Sequence, residues 1–339
     1  MIDVLVAGGG PAGLATALYA AQAGLEVVVV EPREPPIDKA CGEGLMPAAV
    51  RLLSQLVGDL PGAPLRGIRY LDHRRQVDAP FRDGAGLGVR RTVLHQAMHA
   101  RVRQVGIPVV AGRVTTIRQD DTCVTAEGIT ARYLVAADGL HSSIRDDLGL
   151  TRAERRAPRY GLRRHFVVPA WTDLVEVHWA GTAEAYVTPV APELVGVALL
   201  TSRRGSFEAQ LSQFPALIDR LPATASSTSR GAGPLRRRAR ARTAGRVLLV
   251  GDAAGYVDAL TGEGIALSMA CARSLVRCLA ADRPQAYELA WRRDSRRYRL
   301  MTEALLLARR TPGLRQSIVP AAGRFPSVFG AVVEQLARG

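Results

Sequence analysis

Met1–Arg33 reads MIDVLVAGGGPAGLATALYAAQAGLEVVVVEPR. The apolar run Val4–Ala7 has the composition of a strand buried on both faces. It leads into Gly8-Gly9-Gly10-Pro11-Ala12-Gly13, which fits G-x-G-x-x-G. A helical segment, Leu14–Ala23, follows, and Gly24 ends it. A second apolar run, Val27–Val30, stops at Glu31. In such a unit Gly8 allows the tight turn, Gly10 lets backbone approach a pyrophosphate, and Gly13 lets helix and strand pack closely. The helix N-terminus, with Pro11 and Ala12, offers unpaired N–H groups to the phosphates. Glu31, followed by Pro32 and Arg33, sits where a carboxylate accepts hydrogen bonds from a ribose. Strand, turn, helix, strand and terminal acid together predict dinucleotide binding.

The remaining chain sets bounds on that reading. A length of 339 residues holds one large domain or two intimate ones, and 47% hydrophobic residues supply a core. The four cysteines, Cys41, Cys123, Cys271 and Cys278, make no C-x-x-C pair and no zinc spacing, so no metal is expected. Reduced thiols point to the cytoplasm. The N-terminus has Asp3 and no basic n-region, so it is a strand rather than a signal peptide. No apolar run reaches the length of a membrane-spanning helix. The net charge is +14, and Lys39 is the sole lysine. The densest basic block, Arg230–Arg246, reads as a solvated connector. Aromatic residues are 5% and none interleave it, which argues against specific nucleic-acid binding.

Three further elements carry a family resemblance. Lys39-Ala40-Cys41-Gly42 lies in a Pro- and Gly-rich loop and resembles the K-x-C-G element of geranylgeranyl reductase-like FAD enzymes, which crosses the flavin. Asp138-Gly139-Leu140-His141-Ser142-Ser143-Ile144-Arg145 fits D-G-x-x-S-x-x-R and resembles the DG element of FAD-dependent hydroxylases. Gly251-Asp252-Ala253-Ala254-Gly255 followed by Gly262-Glu263-Gly264-Ile265 resembles the flavin and ribitol loop of the same superfold. In this order they resemble the p-hydroxybenzoate hydroxylase superfold, on its geranylgeranyl reductase and flavin halogenase side. The implied cofactor is FAD, with NAD(P)H as a transient co-substrate. The implied contacts are Gly8, Gly10, Pro11, Ala12 and Gly13 of the first turn, Glu31, Pro32 and Arg33, then Cys41, Gly42, Arg91, Val114, Asp138, Gly139, Gly251, Asp252, Gly262, Gly264 and Ile265. Arg91 opens a helix, Thr92–Val105, where the superfamily has an arginine that reaches FAD; Arg91 is preferred to its neighbour Arg90, and spacing leaves both open. The helix after Gly264 would point its positive end at the flavin ring.

The fold class expected is α/β: a Rossmann-like FAD-binding domain of the p-hydroxybenzoate hydroxylase type with an inserted, mainly antiparallel sheet and C-terminal helices. The FAD domain takes residues 1–62, 90–150 and 245–285. The substrate domain takes 63–89 and 151–244, and a helical cap takes 286–339. Gly84–Gly88 reads as a hairpin, and Ile107–Ala137 as a small meander. Leu162–Val167, Val175–Trp179, Ala185–Val190 and Leu194–Leu200 read as strands of the substrate wall. Period 2 places Arg163 and His165 on one face, and His178 and Trp179 on opposite faces. Arg163, His165, His178 and Tyr186 are the candidate catalytic residues. Ala286–Arg310, Gly313–Val319 and Pro326–Ala337 read as helices, first as a cap and second as a peripheral membrane contact.

The expected function is an FAD-dependent oxidoreductase acting on a small apolar or aromatic molecule. Those polar and aromatic strand residues favour a monooxygenase of an aromatic or polyketide-like substrate. The alternative is an ene-reductase of a prenyl or other alkene. A prenyl reductase's P-x-x-Y-x-W-x-F-P element is absent, Tyr186-Val187-Thr188-Pro189 being the nearest fragment. Halogenation is disfavoured because no W-x-W-x-I-P element is present and the lone lysine lies in the K-x-C-G loop.

Overall fold

The first unit consists of β1 (Ile2–Ala7), α1 (Pro11–Gln22) and β2 (Val27–Glu31) in a computed structural model that describes residues 1–338. The helix begins three residues before the expected Leu14 because Pro11 sits at its first position, where a missing N–H costs no hydrogen bond. β1 lies between β2 and the strand Ile129–Ala136, parallel to both. Val247–Leu249 extends the sheet beyond Ile129–Ala136, and Val109–Ala111 extends it beyond β2, each again in parallel. Val4, Leu5 and Val6 are fully buried, as a central parallel strand requires.

That arrangement corrects the expected meander. Val109–Ala111 is not antiparallel to its successors. It returns from the helix Arg91–Gln104 as the second half of a strand–helix–strand crossover. Only Ile117–Gln119 and Val124–Ala126 fold antiparallel, onto the outer half of Ile129–Ala136. The hairpin at Gly84–Gly88 is also corrected. Gly86–Gly88 pairs with Gly44–Leu45 on one side and Ala63–Leu65 on the other. A Cβ at Gly86 would lie 2.5 Å from the Leu45 carbonyl oxygen, so the close pairing needs glycine there.

A seven-stranded sheet stands beside this first sheet, in the order Arg230–Ala232, Tyr160–Val167, Leu194–Thr201, Ala183–Ala191, Leu174–Trp179, Gly67–Leu71, Gln76–Pro80. All neighbours are antiparallel except Leu174–Trp179 with Gly67–Leu71. One face carries Phe166, Ala185, Val187 and Val197 and packs on the short helices Phe207–Leu211 and Pro215–Ile218. The other face carries Ile68, Tyr70, Val175 and Val177. Two small sheets cross the expected domain boundaries: Gly44–Leu45 with Gly86–Gly88 and Ala63–Leu65, and Thr151–Arg152 with Arg237–Ala239 and Gly255–Tyr256.

The Arg230–Arg246 block is no solvated connector. It contributes strands to three sheets, and the side chains of Arg230, Arg236, Arg237, Arg242 and Arg246 have hydrogen-bond partners. Arg236 pairs with Glu154 and Glu303, and the Arg242 guanidinium lies 3.6 Å from the Trp291 ring centre while pairing with Glu288. The carboxylates and the ring sit far off in sequence. The helix Ala286–Arg310 has its expected bounds, whereas the next runs from Pro312 to Arg324, through Pro320, and the last covers Pro326–Ala337. The last helix packs Phe329 on Tyr70, with ring centres 4.7 Å apart. No helix among the described residues is long and apolar enough to cross a membrane.

One buried histidine fastens the glycine turn to the rest of the fold. His95, on Arg91–Gln104, bonds the Gly9 carbonyl through Nε2 (2.9 Å), and Ile37 N–H donates to its Nδ1 (3.3 Å). Both nitrogens are therefore satisfied in the neutral ring. Burial pulls its pKa down to about 4. The folded value lies below the unfolded value of about 6.5, so this contribution to stability is intact above pH ~6.5 and is lost as pH falls toward 4. Melting temperatures at pH 7 and pH 5 test this: His95→Gln should shrink the difference between them.

Candidate active site

Backbone geometry builds the site first. Gly8 has φ +112°, and a Cβ there would lie 2.5 Å from the Ala137 carbonyl oxygen. Gly13 packs directly on the Gly8 carbonyl, so neither position has room for a side chain. Beside Gly10 and Gly42 the space is open. Gly9 N–H donates to Glu31 Oε2 (2.6 Å), and the Arg33 guanidinium donates to both Glu31 oxygens. Burial works to raise the Glu31 pKa, but the bonds from Arg33 and Gly9 outweigh it and hold the carboxyl below its ordinary value.

Two further turns meet the first. Gly251 has φ +62°, and a Cβ there would lie 2.6 Å from the Ala12 Cβ. Arg145, almost wholly buried, donates to the carbonyls of Leu140 and Ala253 and so ties the Asp138-Gly139 turn to the Gly251–Ala254 turn. Asp138 accepts one bond from Ile144 N–H (3.3 Å), and burial raises its pKa. Its other oxygen, like Arg91 Nε, is buried without a partner among the described residues. Lys39 Nζ stands 3.5 Å from Asp252 Oδ2. The helix Gly264–Ala280 starts beside this junction.

These turns border two cavities. A groove of about 660 Å³ runs past Gly8, Glu31, Pro32, Arg33 and Val114. A more enclosed one of about 260 Å³ runs past Gly10, Cys41, Gly42, Arg91, Gly262 and Gly264. Every expected cofactor contact lines one or the other except Gly13, which lies beneath the turn. Cys41 lines the inner cavity, where burial pushes its thiol pKa up and keeps it protonated.

The four catalytic candidates separate. Tyr186 lines the inner cavity, and its hydroxyl donates to the Leu260 carbonyl (2.7 Å). Burial raises its pKa well above the usual tyrosine value, so it stays neutral. His178 is corrected. Val175 and Val177 face the cavity, so period 2 turns Glu176 and His178 to the opposite face, where His178 Nε2 lies 3.2 Å from Glu176 Oε2 and the ring meets Phe214 edge-on. Arg163 and His165 do share a face, but the loop Asp38–Glu43 is bonded over them. Arg163 pairs with Asp38 and reaches His165 Nδ1 (3.1 Å). Arginine only donates, so Nδ1 accepts and Nε2 carries the proton toward Glu43 Oε2 (2.7 Å). In this arrangement His165 has no nitrogen left to act as a base.

Glu43 is the residue that sequence reasoning missed. It is buried, has φ +61°, and receives Arg91 N–H on Oε1 (2.8 Å) as well as His165 on Oε2. It joins the K-x-C-G loop, the start of Arg91–Gln104 and the seven-stranded sheet. An isolated acid between two glycines gave no signal, because all its partners are distant in sequence.

A family model described as an FAD binding domain matches residues 98–288, more than half of the chain, and a second with that description matches residues 3–65. The chain belongs to the FAD-binding family. The menaquinone reductase of Mycolicibacterium smegmatis is 27% identical to this flavoprotein over 336 residues, 85% of this chain and 79% of that one. The rifampicin monooxygenase of Rhodococcus hoagii is 30% identical over 168 residues, 43% of this chain and 33% of that one. Geranylgeranyl reductases are also among the relatives, as the K-x-C-G loop implied. The flavin-dependent halogenase CmlS superposes with a TM-score of 0.81 at 19% identity, over 91% of this chain and 64% of that one, a likeness of fold. FAD is the cofactor, and a nicotinamide as transient hydride donor is typical of such enzymes. The side-chain-free turns and the partnerless Asp138 and Arg91 atoms fit a bound dinucleotide.

Two substitutions probe the site. Glu31→Ala should weaken FAD binding by about 1.5–3 kcal/mol, roughly ten- to a hundredfold, in a flavin-fluorescence titration; an unchanged affinity removes Glu31 from the site. Glu43→Ala leaves Arg91 N–H and His165 without their acceptor. It should speed hydrogen exchange across residues 38–45 and weaken FAD binding, whereas native exchange rates there would show that the loop is held by other contacts.

Proposed function

We propose that this flavoenzyme reduces a carbon–carbon double bond in an apolar, isoprenoid-like substrate. The observation that carries the reading is the inner cavity's wall on the sheet side, made by Ile68, Tyr70, Val175, Val177, Leu260 and Leu336. Two of its polar groups are engaged, Tyr186 hydroxyl donating to the Leu260 carbonyl and Thr188 hydroxyl to the Gly42 carbonyl (2.8 Å), and burial raises the Tyr70 pKa and keeps that hydroxyl neutral. The expectation of hydroxylation rested on Arg163, His165, His178 and Tyr186 as a polar and aromatic wall. Only Tyr186 lines the cavity; the other three are bonded elsewhere, and among the described residues no histidine faces it. The relatives that match most of the chain's length include menaquinone and geranylgeranyl reductases, which support the same side, along with a dialkyldecalin synthase, while the rifampicin monooxygenase match covers less than half.

In this reading Gly8, Glu31, Arg33 and Val114 take the adenosine half of FAD. The α1 N-terminus at Gly10–Ala12, with Arg91, takes the pyrophosphate. Asp138 and Asp252 take polyol hydroxyls, and Cys41, Gly42, Gly262, Gly264 and Ile265 border the ring. FAD when bound supplies a two-electron hydride carrier. The chain's own part is to exclude water with the apolar wall, align the alkene along Val175 and Val177, and keep Cys41 and Tyr186 protonated. The segments 1–62, 90–150 and 245–285 hold the cofactor, and 63–89 with 151–244 holds the substrate.

Turnover under ¹⁸O₂ and in its absence decides the reaction. A product with two added hydrogens, formed without oxygen, is expected. Label in the product would make the enzyme a monooxygenase instead. With halide, oxygen and reduced FAD no halogenated product is expected, since Lys39 is paired with Asp252.

A further inference from the structure

The last helix, Pro326–Ala337, has two apolar faces. Phe329, Val333 and Leu336, spaced as one helical stripe, are buried, and Leu336 lines the inner cavity. Val328 and Val332 form an outer stripe that continues Phe325 at the helix start, and these three are 60%, 42% and 54% exposed respectively. A helix with solvent on one side has no need of the second stripe for folding.

The surroundings of that outer stripe are basic. Arg324 precedes it, with its guanidinium 5.9 Å from the Phe325 ring centre. A Cβ at Gly323 would lie 3.4 Å from Val77, which brings the turn before Gln76–Pro80 alongside, with Arg74 and Arg75 exposed on it. Among the described residues none of these three arginines has a carboxylate within ion-pair distance, although Asp72 accepts the backbone N–H groups of Arg74 and Arg75. The only acid of the two final helices, Glu334, is buried and bound to Arg338. An apolar stripe, a rim with three unpaired arginines and a net charge of +14 match an anionic lipid surface; Asp72 is turned to backbone N–H groups and Asp83 is paired with Arg338.

We infer that Phe325, Val328 and Val332, with Arg74, Arg75 and Arg324, dock this enzyme on an anionic membrane. The inference builds on the apolar substrate proposed above. A substrate of that kind partitions into lipid, and docking by this helix sets the cavity's own wall against the bilayer. The other occupants to consider are a second copy of the chain and the solvent alone.

The test uses the FAD-loaded protein and sedimentation with lipid vesicles at physiological salt. Binding is expected to vesicles of phosphatidylcholine with phosphatidylglycerol, and little binding to phosphatidylcholine alone. The combined variant Phe325→Ser, Val328→Ser, Val332→Ser keeps every charge, and it should lower binding about tenfold or more, because the apolar area buried sets the affinity. Its flavin content and melting temperature should stay native, since all three side chains are exposed. Arg74→Gln, Arg75→Gln and Arg324→Gln together should remove the preference for anionic lipid. Undiminished binding by the serine variant would mean attraction by net charge at large and would overturn the proposal. So would a dimer in solution that the serine variant dissociates, with no vesicle binding. Sedimentation needs no turnover, so an enzyme that docks yet incorporates oxygen would sink the proposed reaction alone.

Discussion

The contact on which the cofactor end depends is between backbones. Gly8 leaves β1 at the point where Ala137 leaves the neighbouring strand, and the two approach so closely that no Cβ fits between them. Gly13 then seats α1 on the Gly8 carbonyl. A side chain at either position would lift the helix from its strand and separate the first turn from the Asp138-Gly139 turn. Arg145 adds the third turn through two carbonyls, so three distant pieces of chain hold one geometry. Strands that end side by side at the carboxyl edge of a parallel sheet make this convergence possible.

The second constraint is electrostatic. The loop Asp38–Glu43 carries two carboxylates, and the sheet beneath it answers with Arg163 and His165. Breaking such a buried set is costly because it leaves charges without partners. The same pairing decides the chemistry of the chamber. Side chains committed to holding the loop do not line the inner cavity, whose lining on the sheet is mostly aliphatic and aromatic.

The nucleotide half was legible because its rules are local. A glycine spacing, an apolar run and a terminal acid each report on neighbours within a few residues, and Gly8, Glu31, Asp138 and Gly251 all came from such signals. The limits were set by distance in sequence. Val109–Ala111 reads as a short apolar strand in any context, and only a crossover helix decides that it is parallel. The Arg230–Arg246 block reads as solvated until Glu154, Glu303, Glu288 and Trp291 are brought to it. His178 was placed on the correct strand, and its face relative to Trp179 followed from period 2. Which of the two faces met the cavity depended on how the sheet docks, and no local pattern encodes that.

The lone lysine has a practical consequence. Lys39 borders both cavities beside Asp252, and every other basic side chain except histidine is an arginine. An acylating reagent that seeks side-chain amines therefore has one address among these 339 residues, the Lys39 loop that borders both cavities. Mass spectrometry of a partly acylated sample would then report, from one residue, whether that loop is covered by a bound molecule or open to solvent.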